Sequence, residues 1–285
     1  MDGNTDSAQS DWGPFGRPLF DDPQARRLSR VGVVDIGSNS VRLVVFDGAA
    51  RSPAYFYNEK IMCGLGAGMP ETGRLNPEGK ARALSALLRF QTLARGMNLP
   101  PLTAVATAAM RDAEDGPAFR AEIENATGLK IWVIDGEEEA RLSAQGVLLG
   151  WPGADGVVCD IGGSSMELAE VTGGQVGKRM SSQLGPLRFK DLEGGKKARE
   201  KHLRRIIGGL AEHISGTGKR FFLVGGSWRA ITRVDMERRG YPLHVLHEYR
   251  MDLAATRDTL AFLETADLEA LRSACGISSA RMSLV

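Results

Sequence analysis

The sequence has few cysteines, almost no net charge and no long apolar run. Its 285 residues include 3 cysteines, and the formal net charge at pH 7 is +1. Cys63, Cys159 and Cys275 lie far apart and fit neither a disulfide framework nor the spacing of a metal site, so we expect core thiols. A chain without excess positive charge has no global attraction for nucleic acid or anionic membranes, and we predict neither as a partner.

No stretch approaches the roughly 18 apolar residues that a transmembrane helix needs. The first residues carry Asp2 and Asp6 and no apolar segment, which excludes the pattern of a secretory signal. These absences predict a cytoplasmic protein. Apolar residues make up 42% and charged residues 25% of the chain, as in globular proteins, and the length is sufficient for two domains.

One short segment occurs twice. Residues 33–43 read VVDIGSNSVRL and residues 158–168 read VCDIGGSSMEL, so that Asp35 falls on Asp160, 125 residues later. In each copy an apolar run precedes Asp-Ile-Gly and a small polar tip, and a second run follows. This is the pattern of a tight β-hairpin, and its repetition predicts a duplicated fold.

The composition of these loops suits phosphate, because glycine and serine leave backbone N–H groups and hydroxyls facing outward. Asp35 cannot bind phosphate directly, so within this loop we expect it to hold a divalent cation or a water. A third glycine-rich turn joins a predicted strand to a helix, where the helix N-terminus favours an anion. The predicted phosphate-binding residues are Asp35, Ser38, Asn39, Ser40, Gly162, Gly163, Ser164, Ser165, Gly225, Gly226 and Ser227.

The remaining patterns predict an α/β protein with a tail at 1–29, a first domain at 30–135 and a second at 136–285. The tail is expected to be disordered, and the C-terminus is expected to be a truncation. Strands are predicted at 31–34, 41–46, 54–61, 102–106, 131–134, 156–160, 167–171, 175–181 and 220–224. Helices are predicted at 76–95, 117–127, from 136, at 187–192, 196–214, from about 228, at 252–263 and 268–274. The helix at 196–214 is strongly basic, either as a solvated face or as a surface for a polyanion.

With these motifs collected, the chain resembles the exopolyphosphatase / guanosine pentaphosphate phosphohydrolase family of the actin, hexokinase and Hsp70 ATPase superfamily. The motifs that carry the resemblance are DIGSNS from Asp35, ATAAMRDA from Ala106, GEEEAR from Gly136, DIGGSSME from Asp160 and VGGS from Val224. The resemblance implies two ribonuclease H-like, actin-like ATPase domains with the active site in an interdomain cleft.

The resemblance also assigns roles to four residues. Glu139 matches a glutamate that orients or deprotonates the attacking water. Asp160 and Glu167 match acidic residues that hold Mg²⁺, with Mn²⁺ as an alternative, and their spacing across the second loop lets them face one another. Arg111 matches an arginine that contacts the terminal phosphate. Because Glu139 lies at a helix N-terminus, where the helix dipole favours its carboxylate form, we weight water orientation above proton removal.

The implied activity is hydrolytic release of terminal orthophosphate from inorganic polyphosphate. Hydrolysis of guanosine pentaphosphate to tetraphosphate is the alternative, and a non-catalytic sensor of either compound is a third. An ATP-binding kinase or filament protein is disfavoured by Trp228 beside Ser227. The chain departs from the family pattern at Ser164, Met166 and Asp115, and we expect the C-terminal helical domain of longer members to be missing. The sequence leaves a homodimer open.

Overall fold

The computed structural model describes residues 30–47, 55–189, 195–215, 219–243 and 245–275. The described chain divides into two compact units. The first contains the residues up to Leu65 and Pro77–Ile134, and the second contains Gly66–Asn76 and the residues from Asp135 onward. The tail expected at 1–29 and the truncation expected at the C-terminus lie outside the described residues.

The first unit is built on a five-stranded sheet. Its strands are β1 (Val31–Ile36), β2 (Ser40–Phe46), β3 (Tyr55–Met62), β4 (Thr103–Ala106) and β5 (Ile131–Val133), in the order β3-β2-β1-β4-β5. The first three strands are antiparallel, and β4 and β5 run parallel to β1. In β2 the apolar residues Val41, Leu43 and Val45 alternate with more exposed neighbours, which is the period of a strand with one buried face.

The described residues of this unit form three helices, which are α2 (Pro77–Gly96), α3 (Ala108–Asp112) and α4 (Gly116–Thr127). Helices α2 and α4 were predicted, and α3 was not. Helix α2 buries Ala83, Leu87, Phe90 and Ala94 at helical spacing. Helix α4 ends at Gly128, whose φ of 72° is a left-handed conformation that favours glycine. Between β3 and α2, residues Gly66–Asn76 contain a short helix, α1 (Met69–Thr72), and belong to the second unit.

The second unit repeats the opening of the first. Strands β6 (Gly156–Ile161), β7 (Met166–Thr172) and β8 (Gln175–Ser182) are antiparallel, and β9 (Arg220–Gly225) runs parallel to β6. The sheet order is β8-β7-β6-β9. This arrangement corresponds to the β3-β2-β1-β4 part of the first sheet, so the duplication seen in the loops extends to the strands around them.

Helices cover both faces of this second sheet. The helices are α5 (Gly136–Gly150), α6 (Pro186–Phe189), α7 (Gly195–His213), α8 (Gly226–Arg238), α9 (Leu253–Thr265) and α10 (Leu268–Ala274). On one face Ala140 and Ala144 of α5 pack against Val158 of β6. On the other face Leu210 of α7 packs against Cys159. Both faces of β6 are therefore buried, which explains its continuous apolar run.

A buried polar cluster, the Asp235 cluster, joins α8 to the chain that follows it. Asp235 is fully buried and accepts hydrogen bonds from Tyr249 Oη at 2.6 Å, Thr259 Oγ1 at 2.5 Å and Arg239 Nε at 2.9 Å. Burial by itself would raise the pKa of Asp235, but these three donors together hold it below its usual value. The cluster thereby fixes α9 on α8.

The described residues can be compared with two predictions from composition, one on the cysteines and one on membrane-spanning helices. Cys63, Cys159 and Cys275 are free thiols, and burial raises the pKa of Cys159 to about 12, so it is neutral at physiological pH. Among the helices described above, none is long and apolar enough to cross a bilayer.

Candidate active site

The first repeated loop joins β1 to β2 and is closed by its own backbone. Gly37 N donates to Ser40 O at 3.0 Å. Asn39 O at the tip accepts from the backbone N–H groups of Cys63 and Gly64, at 3.0 and 2.9 Å. Ser38 is buried beneath this tip. The predicted small-residue hairpin is therefore confirmed, and the chain that leaves β3 holds its tip in place.

Arg111 lies at the same edge of the first sheet as this loop. The parallel strands β1, β4 and β5 all end at that edge, where ligands bind in open α/β sheets. The residue belongs to α3, a helical turn that the sequence analysis did not predict. Its Nε donates to Asp112 Oδ1 at 3.0 Å and its Nη1 to Ile134 O at 3.1 Å. These bonds fix the guanidinium beside the strand ends.

Asp115, one of the departures from the family pattern, carries a compensated charge. Lys80 Nζ lies 3.3 Å from Asp115 Oδ2, and both side chains are largely shielded from solvent. The negative charge of Asp115 is therefore matched by Lys80 of α2. The positions of the two residues in the sequence did not indicate this ion pair.

The second loop, between β6 and β7, has the same closure. Gly162 N donates to Ser165 O at 3.0 Å, as Gly37 does to Ser40 in the first loop. Ser164 and Ser165 are buried. Ser164 lies 125 residues after Asn39 and has the same position in its loop. Its carbonyl also accepts a hydrogen bond from the segment that follows the third strand of its unit, β8, here from Arg188 Nε at 3.1 Å.

Asp160 and Glu167 stand directly opposite each other on β6 and β7, as their spacing across the loop predicted. Glu167 is only 1% exposed, and its Oε1 accepts from Ser181 Oγ at 2.9 Å. Asp160 is half-buried, and its Oδ2 accepts from Ser143 Oγ at 2.5 Å. Burial raises the pKa of Asp160, against the opposing effects of the Ser143 hydroxyl and the positive charge of Arg229.

Helix α5 links Glu139 to this acidic pair. Asp135 caps the helix, accepting from Glu138 N at 2.8 Å, so the three glutamates lie in the first turn as predicted. Glu138 is held in a bidentate ion pair with Arg141, at 2.6 and 2.7 Å. Glu139 lies four residues before Ser143 and therefore on the same face of α5, one turn from the hydroxyl that binds Asp160.

Two serines complete the site and were missed by the sequence analysis. Ser143 was detectable in principle, because its i+4 spacing from Glu139 puts both on one helical face. Ser181 had no local signal, since it reaches Glu167 only through the pairing of β7 with β8. Gly136 packs so tightly on Ser181 that a Cβ would overlap its side chain, so α5 begins directly against this serine.

The third predicted loop lies beside Asp160. Gly225 ends β9 with a φ of 109°, and a Cβ there would come within 2.5 Å of Ile161 O and 3.1 Å of Asp160 Oδ1. Only glycine fits this close approach. Helix α8 begins at Gly226, two residues earlier than expected, and Ser227 is buried in its first turn. The second and third loops share one edge, because β6 and β9 are parallel.

The acidic pair fits a magnesium ion. Within the described ranges no three or more His, Cys, Asp or Glu side chains form a metal-binding group. Mg²⁺ does not need such a group, because it keeps several waters and takes one or two carboxylates together with substrate phosphates. The raised pKa of Asp160 also indicates a position where a neighbouring cation would stabilise the carboxylate.

The structure thus assembles the predicted residues into two sets. In the first unit, Arg111 and the first loop lie at one sheet edge. In the second unit, Asp160, Glu167 and the two further glycine-rich loops lie together, and Glu139 lies on α5 one turn from the serine that binds Asp160. The expected placement of the active site between the domains stays a prediction. The second unit thus contains carboxylates and backbone N–H groups, which are the kinds of group that phosphoryl transfer uses.

Comparison with known proteins identifies the family. The family model of the Ppx/GppA phosphatase family matches residues 33–274. The crystal structure of an exopolyphosphatase from Cytophaga hutchinsonii is similar with a TM-score of 0.80 at 22% identity, covering 90% of this chain and 86% of that chain. A Ppx/GppA family member from Aquifex aeolicus gives a TM-score of 0.71 at 24% identity, with 90% and 86% covered.

These structural similarities confirm the α/β fold expected from the sequence, with two units that are each built on their own sheet. The family model spans both sheets and includes both repeated loops, Arg111, Glu139 and the acidic pair. The chain belongs to the Ppx/GppA phosphatase family.

Proposed function

We propose that the protein is an exopolyphosphatase, which releases terminal orthophosphate from inorganic polyphosphate by attack of an oriented water. The observation that carries the proposal is the chain of contacts in the second unit. Glu139 lies one turn from Ser143, Ser143 donates to Asp160, and Asp160 faces Glu167 beside the second loop. Family membership supports the reaction class, and the similarity to a structure named as an exopolyphosphatase supports the substrate.

Each group has a role that its position allows. Glu139 accepts a hydrogen bond from the attacking water and orients it. The N–H groups of the second loop and of Gly226 and Ser227 donate to phosphate oxygens. Arg111 offers its guanidinium to a phosphate in a charge-assisted pairing. Asp160, supported by Glu167, would hold Mg²⁺ or Mn²⁺, whose charge would offset the charge that develops on the phosphate oxygens.

The basic helix α7 favours polyphosphate over guanosine pentaphosphate as substrate. Its apolar residues, including Leu203 and Ile206, pack toward the sheet, whereas Lys197, Lys201 and Arg204 are exposed. A row of exposed cations along one helix of the second unit suits a repeating polyanion better than a single nucleotide.

The test is orthophosphate release with Mg²⁺ from long-chain polyphosphate and, separately, from guanosine pentaphosphate. The essential variant is Glu139→Gln, and the matched control is Glu137→Gln, since Glu137 lies in the same helical turn and is exposed. We expect Glu139→Gln to lower kcat by roughly 10²–10⁴-fold, the range of a positioned acid–base group, and Glu137→Gln to leave it unchanged.

The outcomes separate the alternatives. Release from polyphosphate that Glu139→Gln abolishes supports an exopolyphosphatase. Release from the nucleotide alone would reassign the protein as a guanosine pentaphosphate phosphohydrolase. Binding of both compounds without turnover would indicate a sensor. Treatment with EDTA followed by addition of Mg²⁺ or Mn²⁺ tests the metal, and full activity after EDTA treatment would contradict its role.

A further inference from the structure

The second phosphate loop rests on the chain that follows β8. Gly185 lies so close to the loop that a Cβ would overlap the Ser164 backbone and come within 2.5 Å of Gly163 O. Leu187 N donates to Gly163 O at 2.9 Å, and Arg188 Nε donates to Ser164 O at 3.1 Å. Two consecutive loop carbonyls therefore point toward the segment 185–188.

The direction of these carbonyls fixes the direction of the loop N–H groups. The described peptide bonds are all trans, and in a trans peptide the C=O and the following N–H point to opposite sides. The N–H groups of Ser164 and Ser165 consequently point away from the segment 185–188. Successive N–H groups turned to one side form an anion-binding nest.

The two loops differ in how this orientation is held. In the first loop the tip carbonyl of Asn39 accepts two backbone N–H groups, from Cys63 and Gly64, and no side chain takes part in these bonds. In the second loop the matching carbonyl of Ser164 is held by a guanidinium. That guanidinium is itself positioned, because Arg188 Nη1 donates to Gln183 Oε1 at 3.2 Å.

We propose that Arg188 is a positioning residue for phosphate binding by the second loop. Its guanidinium bridges Ser164 O and Gln183 and so keeps the Ser164–Ser165 peptide turned with its N–H toward the bound phosphate. This inference rests on the proposed function, in which the second loop receives the terminal phosphate. Lysine cannot replace arginine in this role, because an ammonium is a point donor without the planar fork that spans two acceptors.

The test measures binding of inorganic tripolyphosphate with Mg²⁺ by calorimetry, in a Glu139→Gln background that prevents turnover. The variants are Arg188→Met, which keeps the aliphatic stem, and Arg188→Lys, which keeps the charge. Arg257→Ala is the control, since it removes one positive charge from an exposed position of α9 in the same unit. The amide resonances of Ser164 and Ser165 are followed by NMR during the titration.

We expect both Arg188 variants to weaken tripolyphosphate binding about tenfold or more, which is less than the roughly 10²–10³-fold loss of rate when an oxyanion donor is removed, because here the donor is misdirected and still present. The ligand-induced shift of the Ser165 amide should be lost, while Arg257→Ala should bind like the parent. Gln183→Ala should give a smaller loss, because the bond to Ser164 O remains. It also tests the proposal should the Arg188 variants fold poorly, which their thermal midpoints will show.

Three results would overturn the proposal. Unchanged binding in Arg188→Met would remove the basis for a positioning role, and full recovery in Arg188→Lys would show that charge alone matters. Absence of tripolyphosphate binding in the parent would exclude the loop as a phosphate site. Binding without any turnover in the wild-type protein would instead contradict the proposed function and leave the role of Arg188 supported.

Discussion

Replacing Ser143 with alanine tests the link between helix α5 and the acidic pair. The hydroxyl donates to Asp160 Oδ2 at 2.5 Å, a charge-assisted bond to a half-buried carboxylate. Bonds of this type stabilise the charged form by about 1.5–3 kcal/mol, which corresponds to roughly one to two pKa units. Because burial already raises the pKa of Asp160 and Ser143 opposes that rise, Ser143→Ala should raise the pKa further.

The direction of the effect on activity follows because the proposed reaction requires Asp160 in its carboxylate form. If its pKa rises, the carboxylate is lost at a higher pH, so the acid limb of kcat/KM for orthophosphate release should move upward by about one pH unit or more. Alanine is a better helix former than serine, so α5 should not be weakened by the change. Ser143→Thr keeps the hydroxyl and should leave the acid limb close to that of the wild type. An acid limb that stays in place in Ser143→Ala would refute the reasoning, as would an equal displacement in Ser143→Thr.

Two further predictions concern packing around the site. Gly136→Ala should displace Ser181 from Glu167, the buried glutamate of β7, and lower kcat/KM by roughly tenfold or more, as expected when a supporting contact at an active site is lost. The control is Gly146→Ala on the same helix, because a Cβ at Gly146 has no neighbouring atom within 4 Å. This control should retain full activity in the orthophosphate assay. Asp235→Ala should lower the free energy of unfolding by about 3–5 kcal/mol in denaturant titration, because it leaves the donors of the Asp235 cluster unpaired. Since the folded-state pKa of Asp235 is lowered, its stabilisation is complete above the unfolded pKa of about 4 and is lost as the pH falls through the folded value. Wild-type stability should therefore fall more steeply below about pH 4 than that of the variant, and equal acid sensitivity would contradict this assignment.

The loops were predictable from sequence because their determinants are local. A hairpin with a small polar tip is encoded by a few adjacent residues, and its repetition from Asp35 to Asp160 gave independent support. The start of α5 was predictable for the same reason, since Asp135 and the acidic first turn are a local helix signal. The opposition of Asp160 and Glu167 followed from hairpin register alone and is confirmed by the strand pairing.

The parts that were missed depend on contacts between distant segments. Ser181 supports Glu167 only because β8 pairs with β7, and Arg188 reaches the second loop only because the chain turns at Gly185. The helical turn α3 was missed because the residues after β4 were interpreted only as a segment that carries Arg111 past a strand end. There the described bonds from Thr107 N to Ile36 O and from Arg111 N to Thr107 O show that the adjacent strand positions the turn. Local patterns do not contain that information.

The duplicated loops indicate how one fold was adapted to two tasks. Both loops close through the same backbone bond of 3.0 Å, and in both an aspartate ends the incoming strand. The residue opposite that aspartate differs, being Arg42 in the first unit and Glu167 in the second. Arg42, whose Nε donates to Asn58 Oδ1 at 2.9 Å, sets a positive charge across the strand pair from Asp35. Glu167 instead sets a second carboxylate across from Asp160. In the function that we propose, the hairpin backbone supplies anion-binding donors in both units, and this cross-strand position gives the second unit its pair of carboxylates.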